Sequence, residues 1–186
     1  MAPVSAVAEA VAYAALGARL VDVGTAGALI PAIRSATEDL LICGCAEGAD
    51  LVLDAGLAAR SGAGLICPDP AEAAAAVRRG IAQERILVRV TPAQIESAAE
   101  SGWATMVDVG AVAGGQADAG AGAGGQAEGQ RGAGLLAGVE AVAAVCGWLG
   151  VSVVKTRHVA EVRRALDMTE TIRGTRPPSW TVRGLA

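Results

Sequence analysis

The chain has 186 residues and a formal net charge of −4, with 53% hydrophobic but only 2% aromatic residues. This length suits one domain with a sizeable core, which Ala, Val, Leu and Ile must build because Phe is absent. The mild acidity disfavours two partners that need basic surface, namely nucleic acid and an anionic membrane.

Short apolar runs alternate along the chain with Ala-rich stretches of helical period. Each run is typical of a strand that is buried on both faces, as in parallel sheets. Six strands are predicted, at 19–24, 49–56, 63–69, 85–90, 104–110 and 151–156. Helices are predicted at 4–16, 68–81, 91–102, 135–148 and 158–174, with Pro at two starts and Gly at several ends. This alternation predicts an α/β fold with a parallel sheet.

The string "LLICGC" at 40–45 is apolar enough for a further strand. Only about five residues separate it from the next run, whereas a parallel crossover needs about a dozen or more. We therefore predict that a helix runs through this string into a turn at Gly48. The count then stays at six strands, below the eight of a closed (β/α) barrel.

Residues 110–134 have a different composition from the rest of the chain. Ten of these 25 residues are Gly, and the hydrophobic period is lost. Such a segment buries too little surface to offset its ordering entropy, which predicts a flexible Gly/Ala-rich insert within a single domain spanning 1–186. The alternative, a phosphate-binding loop, is disfavoured because the segment has no Lys and no GxGxxG that opens a helix.

Membrane, export and metal signals are weak. The most apolar window, 135–154, reaches spanning length, but Glu140 and three Gly interrupt it, which favours a buried helix and strand. The first residues lack a basic region and carry Glu9, so they make a poor signal peptide, and we expect a cytoplasmic protein. The four cysteines lack metal-ligand spacing and are predicted to be free thiols.

Charged side chains stand at or just past the predicted strand ends, where parallel α/β folds bind ligands. They are Asp22, Asp54, Asp69, Arg89, Asp108 and Lys155, the last being the only lysine. Lys155 and Arg157 should point the same way because side chains alternate along a strand. With the following helix N-terminus they form a candidate anion site, the alternative being ordinary solvated charges. His158, the only histidine, is expected to be a neutral cap or surface group.

Several strings resemble the dihydropteroate synthase family, folate-pathway enzymes built on a TIM barrel. They include "GARLVDVG" (17–24), "EGADLVLD" (47–54), "GAGLIC" (62–67) and "GIAQERILV" (80–88). The tail from 148 is the most specific, and its ending "RPPSWTVRGLA" looks very like that of the second, divergent paralogue found in actinobacteria. The resemblance implies a shortened or incomplete TIM (β/α) barrel.

The resemblance also implies roles for individual residues. The family joins a pterin pyrophosphate to p-aminobenzoate. Asp22 keeps the place of one pterin-site aspartate, and Asp54 follows a second pterin-site position. Lys155 and Arg157 stand at the positions of an Arg-x-His pair that holds the anion. Arg89 replaces a pterin-binding aspartate, and we expect it to pair with an aspartate at the strand ends.

Three departures from the family pattern weaken the case for catalysis. The strand with the Mg-binding Asn is expected to be absent, since the first residues match the helix that follows it. The Asp-Thr strand is reduced to "LLICGC", and the Gly-rich insert replaces a Ser-x-Lys strand end. We can assign no catalytic residue and no metal ligand.

We therefore expect a degenerate, catalytically impaired protein of this family that at most binds a small anionic or pterin-like ligand. One alternative is an active dihydropteroate synthase, a transferase that would need Mg²⁺. Another is a structural or interaction protein without a ligand. An unclosed sheet would expose edge strands, which predicts either a homodimer or aggregation.

Overall fold

The computed structural model describes residues 1–113 and 125–176, without the side chains of 99 and 125–133. Eight parallel strands lie side by side in chain order in one sheet. They are β1 (Ala2–Pro3), β2 (Leu20–Asp22), β3 (Leu41–Cys43), β4 (Leu51–Val52), β5 (Gly64–Cys67), β6 (Ile86–Arg89), β7 (Ala104–Asp108) and β8 (Val153–Lys155). The helices are α1 (Val7–Ala15), α2 (Ile30–Ala36), α3 (Ala55–Ser61), α4 (Pro70–Arg78), α5 (Ile95–Glu100), α6 (Val109–Ala113), α7 (Gly125–Leu149) and α8 (Val159–Ile172).

Met1 carries the hydrogen bonding from β8 to β1. Its nitrogen donates to Val154 O at 2.6 Å, and Thr156 N donates to Met1 O at 2.9 Å. These two bonds form the pattern of a parallel pair in which Met1 stands opposite Lys155. The predicted TIM-type fold is therefore confirmed, in a shortened form with strands of two to five residues. Where Met1 pairs with Lys155, the described barrel has no open sheet edge of the kind expected from the sequence.

The predicted count of six strands is wrong, because β1 and β3 are strands. Residues 2–3 pair with β2 ahead of the first helix, and "LLICGC" contains β3 rather than a helix end. The connection between β3 and β4 is shorter than the dozen residues expected of a parallel crossover. It has to return along a strand of only three residues, which spans about 10 Å. Residues 44–50 cover that distance without a helix.

Side chains of the strands alternate between the inside of the barrel and the helices. Inside, a buried cluster contains Leu20, Cys43, Ile66, Leu87 and Met106. Outside, the intervening strand residues pack with the helices in a larger cluster of Ala, Val, Leu and Ile side chains. The aliphatic core expected from the composition is thus built in two parts. On a strand that contributes to the inner cluster, the inward residue two positions later lies nearer the C-terminal end of the barrel.

Local signals placed several helix ends correctly. Asp69 accepts a hydrogen bond from Glu72 N at 2.8 Å and caps α4, with Pro70 as its first residue. Thr91 and Gln94 form a capping box ahead of α5. Gly80 and Gly102 follow these two helices with positive φ angles of 91° and 74°. Such angles suit Gly because it has no Cβ.

Helices enter the Gly-rich range 110–134 from both sides. Helix α6 extends to Ala113, and α7 begins at Gly125. Residues 114–124 lie outside the described part of the chain, so the flexible insert stays a prediction. Among the helices that the structure describes, none combines the length and the apolarity required to cross a membrane.

Candidate functional site

Four charged residues stand at the C-terminal ends of strands and face the open end of the barrel, here called the mouth. Each follows an inward residue by two positions, so strand alternation points it inward as well. They are Asp22, Arg89, Asp108 and Lys155, which follow Leu20, Leu87, Met106 and Val153. Two formal negative and two formal positive charges leave this group electrically neutral.

Asp22 and Lys155 form an ion pair with each other. Lys155 Nζ lies 2.9 Å from Asp22 Oδ2, and the two side chains are 26% and 16% exposed, respectively. The other carboxylate oxygen, Oδ1, accepts a hydrogen bond from Gly24 N at 2.9 Å. The two residues lie on β2 and β8 with only the two-residue strand β1 between them. The structure thus brings together one residue of each predicted pair, Asp22 of the pterin side and Lys155 of the anion side.

Cys43 lies beside Asp22, level with it in the β2–β3 register. Burial raises the pKa of its thiol to about 12, and the Asp22 carboxylate adds to the increase. Lys155 and Arg89 oppose it, which places both cations near the same thiol. A thiol with this pKa stays protonated and is therefore a poor nucleophile at neutral pH.

Asp54 is positioned by a different interaction. Its side chain caps α3 by accepting a hydrogen bond from Leu57 N at 2.6 Å, and the residue is exposed. Asp108 similarly accepts from Ala111 N at 3.1 Å at the start of α6. Leu53, the residue between β4 and Asp54, leaves 47% of its surface exposed. It borders a cavity lined by residues of β5 and α4, on the helix side of the sheet.

Arg157 lies at the rim of the mouth. It is exposed, and it forms no ion pair within the part of the chain that the structure describes. Hydrogen bonds from Ser5 lower the pKa of Glu9, and Arg157 adds a smaller contribution, which places it near the start of α1. His158 N donates to Thr156 Oγ1 at 2.9 Å, and the His158 side chain makes no capping hydrogen bond.

The donor set at the mouth does not fit the Mg²⁺ that an active family member would need. Mg²⁺ prefers free oxygen ligands in octahedral geometry. Both Asp22 oxygens are engaged by Lys155 and Gly24, and Asp108 is held by Ala111. Residues 1–113 and 125–176 contain no group of three or more His, Cys, Asp or Glu that could hold a metal ion. All four cysteines are free, and Cys45 alone is exposed.

Comparison with known proteins supports the resemblance seen in the sequence. No family model matches the chain. The inactive dihydropteroate synthase 2 of Mycobacterium leprae is 45% identical to it over 51 residues, which are 27% of this chain. That alignment spans 18% of the relative's own length.

Solved structures share the fold over most of the chain. Mycobacterium tuberculosis Rv1207 matches with a TM-score of 0.69 at 24% identity, over 92% of this chain and 89% of that one. The predicted resemblance to the dihydropteroate synthase family is confirmed. The dihydropteroate synthase of Yersinia pestis, solved with a pterine-sulfa conjugate, gives 0.69 at 15% identity, over 94% and 91% of the two chains. That of Xanthomonas albilineans, in complex with 7,8-dihydropteroate, gives 0.69 at 17% identity, over 90% and 86%.

The partner of Asp22 in this dihydropteroate synthase-like barrel differs from the one expected. We predicted that Arg89 pairs with an aspartate of the mouth, but Lys155 takes that place, and Arg89 has no ion pair among the described residues. The sequence does show opposite charges at the ends of β2 and β8. They indicate an ion pair only when the barrel is known to place these two strands on either side of β1.

Proposed function

We propose that this chain binds a small, pterin-like ligand with an anionic group at the mouth and that it has lost dihydropteroate synthase turnover. The main support for this proposal is that Asp22 and Lys155 converge at the mouth, where they form an ion pair. A lysine ammonium suits the anionic end of the ligand, and a carboxylate accepts hydrogen bonds from ring or amino N–H groups. Solved relatives hold a pterine-sulfa conjugate and 7,8-dihydropteroate, which supports a ligand of this class.

Other residues of the mouth fit the same ligand. Arg157 stands at the rim as a second cation for the anionic end, two positions beyond Lys155. Asp54 is held in the α3 cap, so we assign the pterin side to Asp22 first and keep Asp54 as a peripheral residue.

The proposed loss of turnover rests on charge. Stabilising the charge that develops in the transition state usually supplies the largest part of catalysis, and it needs donors that are already free and oriented. Here the inward charges sum to zero and Lys155 is engaged by Asp22. The donor set also does not fit Mg²⁺. The similarity to a relative named as inactive points in the same direction.

Calorimetric titration with a pterin pyrophosphate, with and without Mg²⁺, tests this proposal. We expect binding that does not depend on Mg²⁺ and that weakens at least about tenfold in Lys155→Met, equivalent to losing a charge-assisted hydrogen bond. Arg78→Met is the matched control, because Arg78 is an exposed cation at the end of α4. Equal affinity of the two variants would contradict the proposal. Mg²⁺-dependent binding with dihydropteroate formation would support the active-synthase alternative.

We also keep the homodimer as a proposal, on a ground other than open edges. Helices α7 and α8 expose large apolar side chains, including Trp148 at 56%, Met168 at 61% and Ile172 at 66%. Such residues favour association. Light scattering on the wild type and on Trp148→Ser with Met168→Glu tests it: a wild-type dimer that becomes monomeric is expected, and a wild-type monomer would contradict it.

A further inference from the structure

The Asp22 carboxylate is fixed by a hydrogen bond at the end of its own strand, whereas the Lys155 ammonium is held by Asp22 alone among the described residues. Asp22 Oδ1 accepts the Gly24 N–H at 2.9 Å, a local turn two residues long, in which Gly24 has a φ of +53°. Lys155 reaches Asp22 by four flexible methylene groups, and Nζ has no other protein partner among the described residues. An incoming anion would therefore move the Lys155 ammonium and leave the Asp22 carboxylate behind.

Removing Lys155 from the pair has a cost at Asp22. The Asp22 side chain is only 16% exposed, so Oδ2 would be left without a partner where water has limited access. A partly buried charge without its partner is unfavourable. The four inward charges also sum to zero, so a simple anion is attracted to the mouth mainly by Arg157 at the rim, which is exposed and therefore screened by salt.

We propose that Asp22 is the specificity-determining residue of the mouth because its carboxylate competes with the ligand's anion for Lys155. A simple anion has to break the pair and provides no hydrogen-bond donor that could replace Lys155 at Asp22. A ligand that carries N–H donors a few ångströms from its anionic group replaces both halves of the pair at once. The mouth should thus select amino-heterocycles that bear an anionic substituent and reject phosphate or pyrophosphate alone. This inference rests on the proposed function, since it concerns the same ligand.

Inorganic pyrophosphate is the probe that separates competition from simple attraction. We expect calorimetry to detect little binding to the wild type and at least about tenfold tighter binding to Asp22→Asn, because the ammonium no longer has to leave a carboxylate. Asn keeps an oxygen for the Gly24 N–H. Asp69→Asn is the matched control, since it also removes one strand-end carboxylate and keeps a residue that caps α4.

The outcomes distinguish this inference from the proposed function. Equal pyrophosphate affinity in the wild type and in Asp22→Asn would overturn the competition. Tighter binding to Asp22→Asn, lost again when Lys155→Met is added, would support it even if the wild type ignored a pterin pyrophosphate. In that last case the proposed pterin-like ligand would fail while the role of Asp22 would stand. Absence of binding of either compound to any variant would overturn both.

Discussion

Asp50 accepts a hydrogen bond from the backbone nitrogen of Ile42 at 2.7 Å, across the short connection between β3 and β4. The backbone of Asp50 also donates to Ile42 O at 2.8 Å. Arg34 holds the same carboxylate at 2.9 Å and donates to Gly48 O at 2.7 Å. One side chain therefore ties β3, β4 and the end of α2 together at the crossover that lacks a helix.

Replacing Asp50 by Ala should destabilise the fold by about 1–3 kcal/mol, because it leaves a part-buried N–H of Ile42 without a partner. Urea unfolding followed by circular dichroism measures the change. Asp39→Ala is the control, because Asp39 is exposed shortly before β3. Equal midpoints for the two variants would show that the carboxylate does not hold the crossover.

Replacing Asp54 by Ala should lower the free energy of unfolding by about 1 kcal/mol, since it removes the cap of α3. Asp54→Asn should restore most of this loss, because Asn also caps helices well. Neither change should alter the affinity for a pterin pyrophosphate by more than about threefold, which is under 1 kcal/mol. A larger loss of affinity in Asp54→Asn would instead assign the Asp54 carboxylate to the ligand.

The ion pair at the mouth should give a measurable coupling. In a double-mutant cycle on Asp22→Asn and Lys155→Met, we expect a coupling free energy of about 1 kcal/mol, since both side chains are only partly exposed. Thermal unfolding at low salt provides the four values. The coupling should decrease in 1 M salt, where charges are screened within about 3 Å. Strictly additive effects would mean that the pair is not maintained in solution.

Cys43 should make stability fall at alkaline pH. The pKa of its thiol is about 12 in the folded chain against an ordinary value of 9.0. The unfolded chain therefore loses this proton first, so the contribution is complete below pH 9 and disappears as the pH rises towards 12. Unfolding midpoints between pH 8 and pH 10 should fall less for Cys43→Ala than for the wild type. Cys45→Ala, at the exposed thiol, should retain the wild-type slope. Identical slopes in all three proteins would contradict the assignment.

The features that the sequence predicted correctly are local ones. Asp69 with Pro70, and Thr91 with Pro92, mark helix starts because the capping atoms and the capped backbone lie within four residues. Of the two missed strands, β1 has only two residues ahead of the first helix, and β3 is disfavoured from the sequence because its link to β4 is shorter than the usual parallel crossover. They exist because neighbouring strands provide hydrogen-bond partners. The Lys155–Asp22 pair joins residues 133 positions apart and requires the ring to continue through Met1.

Binding without turnover can be tested in one mixture. The chain is incubated with a pterin pyrophosphate, p-aminobenzoate and Mg²⁺, and the bound pterin and any dihydropteroate are measured together by equilibrium dialysis and chromatography. Our account predicts bound pterin that depends on Lys155, with dihydropteroate no higher than in the Lys155→Met variant. Dihydropteroate that rises with enzyme concentration in the wild type and falls in Lys155→Met would contradict it.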